Sequence, residues 1–324
     1  MRILFMGTPD FAEKSLEAIF DAGHEIVGVV TNPDKPKGRG MKMIASPVKD
    51  FAVSKQLKVY QPIKIRKNAE LIEEIKALDP DVICVVAYGK ILPKELLDIP
   101  EKGCINVHGS LLPKYRGAAP IQWAVLNGEK TTGITTMYMD EGMDTGDMIL
   151  KKEVEIGEDE TTGELWDRLS IIGAELLVET LKQIEEGTAP RAKQEGEFSI
   201  APMLDKTMAK IDWENQTSLQ IKNLVRGLNP LMGAYSFIDN KKIKFWKVQV
   251  LKFNNFAKEF ELKEEDIKNK ENGFIIIADS KKGLYIKAID GVIKVLEIQG
   301  ENAKRMKIDD FLRGTKLIEG SRFA

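Results

Sequence analysis

The amino-acid sequence predicts an α/β domain built on an open, mostly parallel sheet, followed by a smaller antiparallel β-barrel. The chain has 324 residues, enough for about two domains of roughly 100–200 residues each. Up to about residue 200, short apolar runs alternate with segments of helical periodicity. The remainder contains five apolar runs separated by turn-forming residues, and one amphipathic helix, a pattern typical of a small β domain.

The N-terminal elements alternate between strand and helix. In chain order, we predict strands at 2–6, 26–31, 58–60, 81–87, 103–107 and 132–139, and helices at 10–22, 48–55, 69–78 and 161–186. The run 82–86 is apolar at every position, as in strands buried on both faces of a parallel sheet. Thr8 is placed to cap the first helix, and the Pro/Gly-rich stretch 32–47 is predicted to be a loop. This succession indicates a Rossmann-like sheet covered by helices.

The C-terminal elements are predicted to form an OB-like barrel. We predict a helix at 218–228 and strands at 234–238, 243–250, 273–278, 284–288 and 292–298. Their number and the turns between them suit such a barrel, whereas the stretch 254–269 fits no strand. The domain organisation is therefore a first domain at 1–187, a linker rich in Gly, Pro and polar residues at 188–206, and a barrel at 207–324.

Charge differs between the two halves of the chain. The formal net charge is −2 overall, but residues 1–204 carry −8 and residues 205–324 carry +6. The near-neutral total therefore hides a basic C-terminal half, of which one face could meet a polyanion such as a phosphate backbone. The alternative, that these lysines only solvate a small barrel, stays open at this level.

Composition argues against several kinds of site. No apolar run approaches the roughly 18–20 residues of a membrane-spanning helix, and the N-terminus lacks the pattern of a secretory signal. The cysteines Cys84 and Cys104 lie in apolar stretches without a CxxC neighbour or a histidine at zinc spacing. We therefore expect buried thiols, no metal site, no membrane contact and a cytoplasmic location.

The first candidate for chemistry is the end of the strand at 103–107. Alternation places Asn106 and His108 on one side of this strand, and ligands of open α/β sheets bind at the carboxyl ends of the strands. The carboxamide can donate to a developing oxyanion, and the imidazole can carry a proton near neutral pH. The plainer reading, a hydrogen-bonded core histidine beside a turn-forming asparagine, also fits. His24, the second of the two histidines, lies in a predicted turn.

Two loops add further candidates. The acidic, glycine-containing segment 140–146 offers Asp144, which could orient His108 or move a proton, although such a segment is also typical of a solvated hairpin. The loop 110–120 combines apolar residues, Pro113 and Arg116 and could line a pocket. The segment Gly7-Thr-Pro-Asp lacks the GxGxxG pattern, so a nicotinamide dinucleotide site is not supported.

Several motifs occur together in one order. They are GTPDFA (7–12), DKPKGRG (34–40), SPVK (46–49), VVAYGKILP (85–93), INVHGSLLPKYRGAAPIQ (105–122), DEGMDTGDM (140–148) and AKRMKIDDFLRG (303–314). In these motifs the chain resembles the methionyl-tRNA formyltransferase family, a branch of the folate-dependent formyltransferase superfamily. The resemblance extends over nearly the whole chain.

The resemblance implies roles for particular residues. Asn106, His108 and Asp144 match the family's catalytic triad. The positions that match its folate-binding segments are Val86, Tyr88, Gly89, Ile91, Ser110, Leu111, Leu112, Pro113 and Asp140. Those that match its loop for the acceptor end of the tRNA are Lys37, Arg39 and Lys42.

The resemblance also implies an activity: transfer of the formyl group of 10-formyltetrahydrofolate to the α-amino group of methionine on initiator Met-tRNA. It further implies a monomer that needs no metal.

Three alternatives to this function remain. A formyltransferase for another amine, such as a nucleotide sugar or glycinamide ribonucleotide, would leave the basic barrel unexplained. A formyltetrahydrofolate hydrolase would release formate without tRNA. A catalytically silent RNA-binding protein would bind RNA without consuming folate.

Overall fold

The computed structural model describes residues 1–37 and 41–324, with only the backbone described for Lys37 and Lys42. These residues form two compact units. Unit 1 comprises 1–121, 131–155 and 165–203, and unit 2 comprises 122–130, 156–164 and 204–324. Two short pieces of the predicted first domain therefore belong to unit 2, and most of the predicted linker 188–206 belongs to unit 1. None of the described helices is long and apolar enough to cross a membrane.

Unit 1 is built around a mainly parallel sheet. Its strands are β1 (Arg2–Gly7), β2 (Glu25–Val30), β3 (Lys35–Lys37), β4 (Lys42–Ile44), β5 (Val59–Tyr60), β6 (Val82–Val86), β7 (Cys104–His108), β8 (Thr131–Tyr138) and β9 (Met148–Glu155). Seven of them form one sheet in the order β5-β2-β1-β6-β7-β8-β9. The five strands β5, β2, β1, β6 and β7 run parallel to one another, whereas β8 and β9 are added to the sheet in antiparallel pairing.

Helices cover this sheet. In chain order they are α1 (Asp10–Asp21), α2 (Pro47–Ser54), α3 (Ala69–Ala77), α4 (Lys94–Leu97) and α6 (Thr162–Glu186), whereas α5 (Pro120–Leu126) belongs mostly to unit 2. Every residue of β6 is buried, as its apolar run predicts. The chain proceeds outward from β1 to β2 and β5, then returns to β6 on the other side of β1. The carboxyl ends of β1 and β6 therefore flank the point where the strand order reverses, which is where open α/β sheets bind ligands.

The structure corrects two local predictions in this unit. Thr8 does not cap α1, whose N-cap residue is Pro9 without a side-chain bond. Instead, the Thr8 hydroxyl accepts hydrogen bonds from the backbone N–H and the side-chain amide of Asn32, at 3.3 and 2.9 Å. The stretch 32–47, predicted to be a loop, contains the two-stranded hairpin β3–β4. The Thr8 hydroxyl is thus taken by Asn32, two residues beyond the end of β2, a long-range partner that a local capping rule does not take into account.

Unit 2 contains an antiparallel sheet. Its strands are β10 (Ala234–Ile238), β11 (Lys241–Leu251), β12 (Ile275–Asp279), β13 (Gly283–Lys287), β14 (Val292–Gln299) and β15 (Met306–Lys307), and its helices are α7 (Ser218–Gly227), α8 (Phe253–Glu259), α9 (Glu264–Lys268) and α10 (Ile308–Gly314). The order is β10-β11-β14-β13-β12, with β15 beside β14. The predicted fold class, an open, mostly parallel α/β sheet followed by a small OB-like barrel, is confirmed as a parallel-dominated sheet with helices followed by a small antiparallel β domain.

The stretch 254–269, which fits no strand in the sequence, is mostly helical. It carries α8 and α9, and these helices bury Phe256 and Ile267 together with Tyr285 of β13 in a separate apolar cluster. The rings of Phe256 and Tyr285 lie 5.1 Å apart. Amphipathic helices of five to seven residues give too little periodicity to stand out in a sequence.

The last residues of the chain complete the core of unit 2. Phe323 is fully buried, with its ring centroid 5.4 Å from that of Phe245 and 6.2 Å from that of Trp213. The backbone of Ala324 exchanges two hydrogen bonds with Phe237 of β10, each 2.9 Å long. Both side-chain packing and backbone pairing therefore hold this tail in unit 2.

We predict that Phe323→Ala lowers the free energy of unfolding of unit 2 by about 3–5 kcal/mol, since it leaves a cavity between two aromatic rings. Urea unfolding followed by circular dichroism, together with hydrogen exchange in unit 2, measures the effect. Ile318→Ala is the matched control, because Ile318 lies in the same tail but is 61 % exposed; its effect is expected within about 0.5 kcal/mol. Equal effects for the two variants would contradict the prediction.

Candidate active site

Three polar side chains from two segments meet at the carboxyl end of β7. Asn106 and His108 lie on one face of this strand, and Asp144 lies in the loop between β8 and β9. The Asn106 Nδ2 atom is 3.5 Å from Asp144 Oδ1, and His108 Nδ1 is 3.7 Å from Asp144 Oδ2. The His108 side chain is 5 % exposed and that of Asp144 is 16 % exposed. The structure therefore brings the three predicted catalytic residues together in a largely buried cluster.

A backbone carbonyl determines which nitrogen of His108 carries the proton. His108 Nε2 lies 2.9 Å from the carbonyl oxygen of Tyr115, and a carbonyl can only accept, so Nε2–H is the donor. In the neutral ring, Nδ1 then has a lone pair that faces the Asp144 carboxylate. A proton taken up at Nδ1 would point at that carboxylate and form an ion pair with it. The geometry thus suits a ring that gains and loses a proton at Nδ1.

The loop that carries Asp144 is held in an unusual backbone conformation. Asp144 has a φ of +54°, a region that L-residues other than Asn, Asp and Gly seldom adopt. Its Oδ2 atom accepts a hydrogen bond of 2.8 Å from the backbone N–H of Gly117. A Cβ atom at Gly146 would lie 1.8 Å from the carbonyl oxygen of Tyr138, so only glycine fits there. These restraints fix the carboxylate with respect to His108.

Sequence reasoning missed Gln194, which lies in the predicted linker. Its Nε2 atom donates to the carbonyl oxygens of Asp144 and Gly146, at 2.8 and 2.9 Å. Its Oε1 atom accepts from Nε and Nη2 of Arg116, at 3.0 and 2.7 Å. No periodicity or motif marks this glutamine, since it stands among exposed polar residues. Only the folded chain brings it to the loop of Asp144.

The residues of the predicted folate-binding loop differ in exposure. Ser110 and Leu112 are buried, and their backbones are tied to Thr135, which donates to Ser110 O at 2.7 Å and accepts from Leu112 N at 3.2 Å. Leu111 and Pro113 are partly exposed. The buried side chains of Ser110 and Leu112 therefore anchor the loop in the interior of the protein. The partly exposed side chains of Leu111 and Pro113 are available to a ligand.

The second predicted folate-binding segment leaves the sheet beside the first. Val86 ends β6, which is paired with β7. Tyr88 is 2 % exposed, and its hydroxyl has no hydrogen-bond partner among the described residues; burial raises the pKa of this phenol. Gly89 has a φ of +73°, and Ile91 is 58 % exposed. The segment therefore turns sharply at the sheet edge and presents an apolar side chain.

The remaining predicted site residues lie in two other places. Asp140 is exposed, and its Oδ1 atom accepts hydrogen bonds from Gly142 N at 2.9 Å and Thr145 Oγ1 at 2.7 Å, which closes the loop of Asp144. Lys37 and Lys42 pair through their backbones in the β3–β4 hairpin. Arg39 lies outside the described residues.

The cysteines have environments unsuited to nucleophilic chemistry. Both are buried, and burial raises the pKa of Cys104 to about 12 and that of Cys84 further. Since the thiolate is the reactive form, neither is a nucleophile near neutral pH. The described residues contain no group of three or more His, Cys, Asp or Glu side chains that could hold a metal ion.

Comparison with known proteins agrees with this architecture. The family model described as "Formyl transferase" matches residues 1–181, and "Formyl transferase, C-terminal domain" matches residues 203–316. Two curated relatives, named methionyl-tRNA formyltransferase, come from Clostridioides difficile (51 % identical over 321 residues) and Ruminiclostridium cellulolyticum (49 % over 323 residues). In each case 99 % of both chains is covered.

Solved structures share the fold at lower identity. WlaRD, a sugar 3N-formyl transferase whose crystal structure was determined in the presence of dTDP and 5-N-formyl-THF, is 20 % identical with a TM-score of 0.63. That similarity covers 91 % of this chain and 97 % of the WlaRD chain.

Formyl transferase models match residues 1–181 and 203–316, and relatives of the same length are about half identical to the chain. The chain therefore belongs to the formyl transferase family.

Proposed function

We propose that this protein transfers the formyl group of 10-formyltetrahydrofolate to the α-amino group of methionine on initiator Met-tRNA. The observation that carries the proposal is the identity of about half of all residues, over both units, with relatives named methionyl-tRNA formyltransferase. The cluster of Asn106, His108 and Asp144 at the sheet edge supplies groups that suit acyl transfer to an amine. Formyl-methionine on the initiator tRNA is the product used to begin protein synthesis.

The reaction makes one bond and breaks one. The amine nitrogen attacks the formyl carbon, and the carbonyl electron pair moves to oxygen as the tetrahedral intermediate forms. The bond from that carbon to N10 of the folate then breaks, and the proton lost by the amine ends on N10. No covalent bond to the protein is needed, which is consistent with buried and protonated cysteines.

Asn106 is proposed to stabilise the oxyanion. Its carboxamide has two N–H groups, and only one is directed at Asp144, at 3.5 Å. The other is available to a developing negative charge in a site where most water is excluded. A well-placed donor of this kind contributes about 2.7–4 kcal/mol to stabilisation of the transition state.

His108 is proposed to carry the proton from the amine to N10. Its Nε2–H is engaged by the Tyr115 carbonyl, so the ring accepts the proton at Nδ1. The imidazolium that results is stabilised by Asp144, 3.7 Å away, and can stabilise the oxyanion before it releases the proton to the leaving group. In this mechanism the Tyr115 carbonyl sets the tautomer, and the carboxylate stabilises the charged ring.

A face of unit 2 suits a polyanionic partner. We define the basic–aromatic face as the outward side of the β10–β11 hairpin with two flanking cations: Lys210, Tyr235, Phe237, Lys242, Lys244 and Arg305, together with Trp246, which lies beneath the cations and is only 9 % exposed. Cations stack on each ring: Lys242 on Tyr235 at 3.5 Å, Lys210 on Phe237 at 5.9 Å, and Lys244 and Arg305 on Trp246 at 5.6 and 5.1 Å. Clustered cations and aromatic rings are typical of nucleic-acid contacts.

The basic–aromatic face is the feature of unit 2 that favours tRNA as the partner. We propose that the tRNA lies along this face. The inward neighbours Ser236, Ile243 and Phe245 are buried, so alternation along the two strands separates the core from the cations. The loop residues Lys37, Arg39 and Lys42 are proposed to contact the acceptor end. We further propose, as the resemblance to the family implies, that the protein acts as a monomer in the cytoplasm.

The proposed function is tested by product analysis. Incubation of the protein with 10-formyltetrahydrofolate and charged initiator Met-tRNA is expected to give formyl-methionine, while charged elongator Met-tRNA is expected to give little. Acid-gel or mass-spectrometric analysis of the esterified amino acid measures both. Consumption of the folate with release of formate in the absence of tRNA would instead indicate a hydrolase.

Substitution in the polar cluster is expected to reduce turnover. Asn106→Ala, His108→Ala and Asp144→Ala should each lower kcat by about 10²-fold or more, because each removes a group that acts in the transition state. Single-turnover formylation at saturating substrates measures this. The matched control is His24→Ala, which removes the other histidine and should leave kcat within about twofold. Near-normal turnover of His108→Ala would contradict the mechanism.

Neutralisation of the basic–aromatic face is expected to weaken tRNA binding alone. The double variant Lys210→Ala/Lys242→Ala should raise KM for Met-tRNA and reduce the slope of log affinity against log salt by about 1–2, with KM for the folate unchanged. Filter binding at several salt concentrations and steady-state kinetics measure these values. Lys281→Ala/Lys282→Ala, in the exposed turn between β12 and β13, is the control of equal charge. An equal loss with the control would rule out a specific face.

A further inference from the structure

Segment 194–201, most of it exposed, is bonded to both loops of the candidate active site. On the side of loop 110–120, Arg116 N donates to Ser199 O at 2.8 Å and Ala201 N donates to Arg116 O at 2.7 Å. The Ser199 hydroxyl also accepts from Tyr115 N at 2.9 Å. Since the carbonyl of Tyr115 binds His108 Nε2, this segment supports the residue that orients the imidazole.

On the side of the acidic loop, the contact is made by the amide of Gln194. Both of its N–H groups and its oxygen are in use: the N–H groups bind the carbonyls of Asp144 and Gly146, and the oxygen binds two nitrogens of Arg116. A guanidinium has no acceptor and a carbonyl has no donor, so this set of partners defines which end of the amide is nitrogen. The carboxamide thus joins Arg116 to the loop of Asp144.

These contacts set where the Asp144 carboxylate can lie. Its backbone oxygen is held by Gln194, and its Oδ2 by the N–H of Gly117, the residue that follows Arg116. With both bonds in place, Asp144 has a left-handed backbone and its carboxylate lies 3.7 Å from His108 Nδ1. A displacement of about 1 Å in such a group can lower a rate about 10²-fold.

We propose that Gln194 is a positioning residue for formyl transfer: its amide holds the loop of Asp144 so that the carboxylate faces His108 Nδ1. The inference rests on the proposed function, since it assigns a role in that same site. Gln194 lies in unit 1 and acts through the backbone carbonyls of Asp144 and Gly146, not through a contact of its own with the reacting atoms. Arg116 has the complementary task of holding the amide oxygen.

The informative variant is Gln194→Glu. The carboxylate keeps the acceptor for Arg116, now as an ion pair, so the segment stays docked. It loses the donor, however, and turns an oxygen toward the carbonyls of Asp144 and Gly146. We expect kcat to fall about 10–100-fold, with KM for both substrates unchanged and Tm within about 2 °C of the wild-type value. Glu195→Ala, at the exposed neighbouring position, is the control and should leave kcat within about twofold.

A double-mutant cycle separates positioning from general support. If Gln194 acts through the carboxylate, Gln194→Glu should change kcat by less than about twofold when Asp144→Ala is already present. A decrease of the same size in both backgrounds would overturn the proposal, as would near-normal kcat of Gln194→Glu alone.

Hydrogen exchange provides a readout that does not depend on activity. Backbone amides of residues 141–146 should exchange at least about tenfold faster in Gln194→Glu than in the wild type or Glu195→Ala. Unchanged exchange would overturn the proposal even if kcat fell. A wild-type protein that does not formylate Met-tRNA would reject the proposed function instead, and the exchange rates would still decide whether Gln194 holds the loop.

Discussion

The parallel pairing of β6 with β7 sets Val85 opposite Asn106 and Val86 opposite Val107, so the two segments that follow these strands leave the sheet at the same edge. The strands pair because β6 is apolar throughout and buried on both faces. Asn106 and His108 then project from the end of β7 beside the turn that contains Gly89. The position of every other group in the site is defined relative to this edge.

Backbone groups, more than side chains, hold the reactive residues. His108 is bonded to the carbonyl of Tyr115, Asp144 to the N–H of Gly117, and Gln194 to two loop carbonyls. Each of these three side chains therefore has a hydrogen-bond partner in the backbone, as burial of polar atoms requires. Because the partners belong to loops, the chemistry depends on how firmly those loops are tied to each other, and segment 194–201 supplies those ties.

In unit 2, the alternation of inward and outward side chains along β10 and β11 produces both a core and an outer face. Along β10 and β11, residues such as Ser236 and Phe245 are buried, and Phe323 from the chain end packs against Phe245. The intervening residues, Tyr235 and Lys242 among them, form the basic–aromatic face. A β-hairpin can thus build a core on one side and present cations and aromatic rings on the other without extra structure.

Local patterns in the sequence were enough for most of the longer strands and helices, the charge difference between the halves and the common side of Asn106 and His108, because strand and helix periods act over a few residues. The acidic loop suggested Asp144 as a partner for His108, and only the resemblance to a family grouped it with both residues. The tertiary structure alone decided that Thr8 binds Asn32 rather than its own helix, and that Gln194 reaches the acidic loop. Contacts between residues far apart in the chain depend on how loops pack, and no short-range pattern encodes that packing.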